Sequence, residues 1–293
     1  MRQPPNNRAL SPSRTQLGWC RTPAYGRWAH GGEARGNDPG GWLLYSIAFG
    51  EQYTCGIMEA MNLEQYSSAS EFINSGDPDV VAFAQKVTAG AADAVAGAVK
   101  LYYAVRDEIV YDPYYAGEAR SYFRASDCLR AKRGFCIPKA ALLAATARSV
   151  GIPARVGYAD VRNHLSTKKL IELLGSDLFR WHSFTELKLE GRWVKATPAF
   201  DLRLCRRFGV YPLEFDGRHD SLFQEYDHEG RRYMEYVRQR GHYADVPYDA
   251  IIAEFKSVYP RWLALVSAGG TENFAAEAQS IRPEVPAARR VFR

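Results

Sequence analysis

The sequence predicts an α+β fold, and three features carry that prediction. Apolar residues recur at helical spacing before residue 151, and the period shortens beyond it. A two-residue turn, Glu190-Gly191, then joins two alternating runs.

Each element follows from local chemistry. Asp77-Pro78 starts a helix, because aspartate caps free N–H groups and proline suits the first helical position; helical spacing continues through Val81 and Ala84. Val95, Ala98, Val99, Tyr102 and Ile109 mark a second helix that stops before Asp112-Pro113. A third runs from about Cys136 to Val150, with Leu143, Ala144, Ala147 and Val150 on one face; Gly151 ends it and Pro153 prevents continuation. Ala154 to Tyr158 is β-like, and a short helix from about Thr167 to Leu174 ends at Gly175. Phe184 to Leu189 and Arg192 to Ala196 form a hairpin. Beyond Asp201 the chain reads as polar and turn-rich until helical spacing returns from Tyr248 to Val258, broken at Pro260. The tail after Ser267 reads as mobile, and there is no internal repeat.

Organisation divides at residue 57. Residues 1–57 hold six arginines, no lysine and three of the six tryptophans, without helical or strand period. They are expected to be upstream sequence translated from a misplaced start, or else a disordered extension lacking the apolar surface that ordering requires. Residues 58–215 are expected to form the main domain. Residues 216–293 then supply a C-terminal loop and helix that pack on it or extend it.

Composition excludes several classes. Of the net charge of +5, residues 1–57 contribute +3, leaving +2 for the rest. A nucleic-acid binder concentrates positive charge on its folded part, so none is expected as partner. No run approaches the roughly 18 apolar residues needed to span a bilayer, so no membrane association is expected either. Five cysteines, at 20, 55, 128, 136 and 205, have no paired spacing. That argues for a reducing, cytoplasmic location and against a disulfide framework or zinc knuckle. Glu214, Asp216, His219, Asp220, Glu225, Asp227 and His228 mix carboxylates and imidazoles, but at no zinc spacing, and read as a solvated loop. No metal or cofactor is therefore expected. Tyr111, Tyr114, Tyr115, Tyr122 and Phe123 read as packing residues, with an acceptor groove as the alternative.

Two residues carry candidate chemistry. Cys136, in Gly134-Phe135-Cys136-Ile137-Pro138, falls on the first turn of a helix. There the helix dipole and free N–H groups lower a thiol's pKa and can hold an oxyanion. His182, in Trp181-His182-Ser183-Phe184-Thr185-Glu186, lies at the start of a hairpin strand that can face a helix N-terminus. His164, His219, His228 and His242 lie in loop-like surroundings, and His30 in the extension.

The run Gly134-Phe135-Cys136, with Lys139-Ala140, Leu142 to Ala145, Arg148 and Gly151 to Arg155, resembles the nucleophile helix and following strand of transglutaminase-like domains. The segment from Trp181 to Asp201 resembles their histidine strand and hairpin. The resemblance covers about residues 90–205. It implies a papain-like core with the nucleophile helix packed on an antiparallel sheet, and a Cys–His–Asp triad. In the family the third residue comes as Asp-Pro; here that place reads Thr197-Pro198. Asp201 is the nearest carboxylate and is expected to orient His182, with Thr197 or a backbone carbonyl as the alternative.

The reading is an acyl-transfer enzyme of bacterial type, acting on amide or peptide bonds of a peptide or protein through a thioester. Hydrolysis is favoured over amine transfer because water needs no second binding site. The alternative is an inactive domain that binds a protein or peptide. Oligomeric state is not readable.

Overall fold

The computed structural model describes residues 63–164, 166–223, 233–269 and 272–279. The stretch 1–57, with Cys20, Cys55 and His30, lies outside them, as do Glu225, Asp227, His228 and most of the tail.

The first half is helical, as expected. Helix α1 (Pro78–Thr88) starts at an N-cap Asp77 whose carboxylate accepts from the Asp79 N–H. Helix α2 (Ala94–Glu108) is capped in the same way by Asp93. After β1 (Val110–Tyr111), a 3-10 turn (Arg120–Phe123) leads to α3 (Ala125–Ala131) and β2 (Arg133–Gly134), which pairs in parallel with β1. Helix α4 (Cys136–Ser149) follows at once. Gly134 lets the chain pass closely there: a Cβ would sit 3.0 Å from both Cys128 Sγ and Pro138 Cγ and would push a neighbour aside.

The second half builds an antiparallel sheet in the order β5-β4-β3-β6. Its strands are β3 (Ala154–Asn163), β4 (Leu178–Leu189), β5 (Arg192–Ala196) and β6 (Met234–Tyr243). Glu190 and Gly191 both take positive φ, which makes the tight hairpin turn. Helix α5 (Lys168–Leu174) lies between β3 and β4, capped by Thr167 and ended by Gly175 in the left-handed region. Helix α6 (Leu202–Phe208) follows β5. The chain closes with α7 (Tyr248–Val258), α8 (Pro260–Ser267) and α9 (Phe274–Gln279). The α+β class holds, with the Cys136 helix packed against β4 of an antiparallel sheet. Four elements depart from expectation: the region read as turn-rich after Asp201 contains α6 and the edge strand β6, α8 resumes at the break at Pro260, and the tail read as mobile contains α9, with Phe274 and Ala278 buried. Among the described residues no helix is long and apolar enough to cross a membrane.

Helix α4 is the centre of the molecule. It packs on β4 and against α1, α2 and α3, so its apolar face widens to nearly the whole circumference. Even its polar residues are enclosed. Lys139 Nζ donates to the carbonyls of Arg106 and Ile109, at 2.9 and 2.5 Å, closing the C-terminal end of α2. Arg148 donates to the carbonyls of Ser68, Ala154 and Ala244, which come from three distant parts of the chain. Removing it strands three acceptors, each worth about 1–3 kcal/mol when buried without a donor. Arg148→Met is expected to cost at least ~3 kcal/mol in urea unfolding; a loss below ~1 kcal/mol would show the carbonyls finding other donors.

Candidate active site

Cys136 is the first residue of α4, preceded by Phe135, which supplies no side-chain cap. Pro138 has no N–H and that of Lys139 bonds the Phe135 carbonyl, so the N–H groups of Cys136 and Ile137 are the ones left without an intrahelical acceptor. Backbone N–H groups of Ser183, Ile137 and Cys136 itself favour the thiolate, but burial outweighs them and pushes the thiol up to about 11. This corrects the expectation of a lowered pKa. The dipole argument assumed a wetter helix end; here desolvation is the larger effect.

His182 reaches the same region through an irregularity in β4. Ala159 pairs with His182 and Val161 with Phe179, so one extra residue is inserted on β4 between these pairs. Trp181 takes φ 58°, unusual for a bulky side chain. The bulge lets Phe179 and His182, three residues apart, share a face, and bulges characteristically re-aim side chains in this way. It is pinned by buried polar groups. The Trp181 N–H donates to Asp160 Oδ1 at 3.2 Å and its indole N–H to Glu254 Oε2 at 2.7 Å. Arg240 holds both carboxylates and stacks 4.4 Å from the Trp181 ring. Two residues further along, Phe184 lies flat where Gly157 has no side chain; a Cβ there would meet its ring at 2.3 Å.

Cys136 and His182 border one cavity of about 60 Å³. Its wall also includes Tyr111, Val161, Leu170, Phe179, Met234 and Trp262. Thiol and imidazole are not hydrogen-bonded to one another in this structure. The His182 ring packs on Phe223 and Tyr236, with centroids 5.4 and 6.4 Å away. Its Nε2 is enclosed without a partner, and burial holds the imidazole down to about 4.

Asp201 is not brought to His182. Its Oδ1 accepts from the N–H groups of Arg203 and Leu204, capping α6, and its Oδ2 accepts from the Tyr111 N–H at 3.1 Å. The carboxylate that was expected to orient the imidazole is occupied in joining α6 to β1. Thr197, at the position where the family carries aspartate, has an enclosed Oγ1. It faces the enclosed hydroxyl of Tyr236. Sequence reasoning named Thr197 as the alternative support; it did not find Tyr236, which lies on the unrecognised β6.

The remaining candidates fall elsewhere. His219 pairs with Asp216 at 2.6 Å on the open surface, and His164 sits beside Glu235. In the aromatic cluster, Tyr111 lines the cavity, Phe123 packs edge-on to Phe135, and Tyr115 packs on Tyr122. These contacts are mostly packing, as the sequence suggested.

Residues 81–198 match the transglutaminase-like superfamily. No curated protein matches the chain. Among solved structures, the fold is similar to that of a candidate cysteine protease from Cytophaga hutchinsonii. The identity is 17% and the TM-score 0.40, over 65% of this chain and 50% of that one; the likeness thus spans about half of that protein.

Proposed function

From a transglutaminase-like domain at residues 81–198, we propose that the protein is a cysteine-dependent acyl-transfer enzyme acting on amide or peptide bonds. The carrying observation is that Cys136, at a helix start with free N–H groups, shares a cavity with His182. Cys136 attacks the acyl carbon and His182 takes the thiol proton. The N–H groups at the start of α4 hold the oxyanion, and the amine leaves with the proton from His182. Water then cleaves the thioester; hydrolysis is favoured over amine transfer because water needs no second binding site. With thiol and imidazole both neutral at pH 7, the proton moves during attack rather than before it.

A second reading, a domain that binds peptides without turning them over, is favoured by the high thiol pKa and by the lack, among the described residues, of a carboxylate hydrogen-bonded to His182. An ester or anilide substrate at 25 °C separates the two. The enzyme reading expects a thioester on Cys136, detectable by mass spectrometry. Cys136→Ala should lower turnover at least about a thousandfold, as loss of a nucleophile does elsewhere. The rate should be level between the two limits of about 4 and about 11 and fall below about 4, where the imidazole protonates. Equal turnover by Cys136→Ala, or none by the unaltered protein, removes the proposal.

A further inference from the structure

The wall beside the two reacting side chains is apolar to an unusual degree. Val161, Leu170, Leu174, Phe179, Met234 and Trp262 supply most of it. Among the described residues its other polar groups are Asn163, Arg180, the hydroxyls of Tyr111 and Tyr259 and the indole N–H groups of Trp181 and Trp262; Tyr259 donates to Leu178 O, Trp181 to Glu254 and Trp262 to Pro113 O. Arg180 donates to Asp160, and Asn163 is engaged within the protein. A substrate amide or carboxylate pushed into this space would lose its water and find, besides Cys136 and His182, the Tyr111 hydroxyl as the one polar group among the described residues not already engaged, which disfavours it. The space is also small. At about 60 Å³ it is well under half of the roughly 150 Å³ cavity that accommodates a benzene ring in another protein. A chain of three or four carbons fits, and an aromatic ring does not.

Resting on the acyl-transfer reading above, we infer that this cavity selects an acyl donor bearing a compact aliphatic side chain, of valine or leucine size, beside the carbon that Cys136 attacks. Each methylene moved from water into such a wall contributes about fourfold in binding. Discrimination by size falls away once the space is full, and steric exclusion takes over.

The chemistry balances without a co-reactant. A p-nitrophenyl ester provides the acyl group; sulfur bonds the carbonyl carbon, p-nitrophenolate leaves, and the thiol proton passes to His182. Water then breaks the thioester, giving the carboxylic acid and restoring the thiol.

The test uses the full chain and N-acetyl amino acid p-nitrophenyl esters of glycine, alanine, valine, leucine, glutamine and phenylalanine. Acylation is read as the nitrophenolate burst, with Cys136→Ala subtracted. Valine and leucine esters are expected to acylate at least about tenfold faster than glycine and glutamine esters, from the methylene increments above. Phe179→Ala, which enlarges the cavity, should move the preference towards phenylalanine. Leu174→Phe, which fills it, should move it towards alanine. These opposite shifts guard against a variant that is merely unstable. Glutamine reacting as fast as leucine, or preferences that the two variants leave unchanged, would overturn the inference while leaving the nucleophile intact. No Cys136-dependent burst with any ester would overturn the enzyme reading and the inference together.

Discussion

Thr197→Asp is expected to raise the pKa of His182 by about 1–3 units, the usual effect of an adjacent carboxylate. Strand register places the two side chains. Thr185 pairs with Ala196, so one step further along the hairpin sets Thr197 across from Phe184, on the face that His182 shares. Diagonal neighbours on one face lie about 7–8 Å apart, within reach of polar side chains. The unpaired Nε2 of His182 lies in this region with Oγ1 of Thr197 and the hydroxyl of Tyr236. A carboxylate accepting from Nε2–H would stabilise the imidazolium and fix the tautomer. The acid limit of activity should then move upward from about 4, and Cys136 should alkylate with iodoacetamide at lower pH than in the unaltered protein. Thr197→Asn, of similar shape but uncharged, should move neither. A folded Thr197→Asp protein with an unchanged acid limit would show that the position lies out of reach.

The second large effect is on stability in acid. His182 is neutral in the folded protein down to about 4, whereas an unfolded histidine protonates near 6.5. Between those values the unfolded chain binds the extra proton, so stability falls as pH falls. Above pH 6.5 both states are neutral and the residue has no effect; below about 4 the full penalty applies. The difference amounts to about 3 kcal/mol at 1.36 kcal/mol per unit. Urea unfolding at pH 7.5 and pH 4 should therefore show the unaltered protein losing about 3 kcal/mol more than His182→Gln. Parallel losses in both proteins would mean that the imidazole is hydrated in the folded state.

The helices were legible because their ends carry their own chemistry: Asp77-Pro78, Thr167 and Gly175 signal boundaries within a few residues. The hairpin was legible from Glu190-Gly191. The first half of β4 was not, because the inserted residue at Trp181 breaks the alternation by which a strand is recognised, so the strand seemed to begin at Phe184. Edge strand β6 was hidden for a different reason: most of its side chains face outward or are only half covered, which leaves no apolar period to read. Cys136 and His182 were found by motif, and they share a cavity as the motif implied. What sequence could not supply was the balance of forces on them. A helix terminus lowers a thiol's pKa in isolation, yet the depth at which this one is set depends on α7, α8 and the junction between them, where Phe255, Trp262 and Tyr259 close the wall. Asp201 was chosen for its charge and nearness in sequence; helix capping claimed it first.

The guanidinium of Arg148 has a consequence for dissecting this chain. It ties Ser68, Ala154 and Ala244 together, and β6 completes the sheet from outside the span 81–198. A fragment cut to that span would expose the flank of β3 and leave the arginine short of two of its three acceptors. Any truncated version meant to fold by itself must reach from before Ser68 to beyond Ala244.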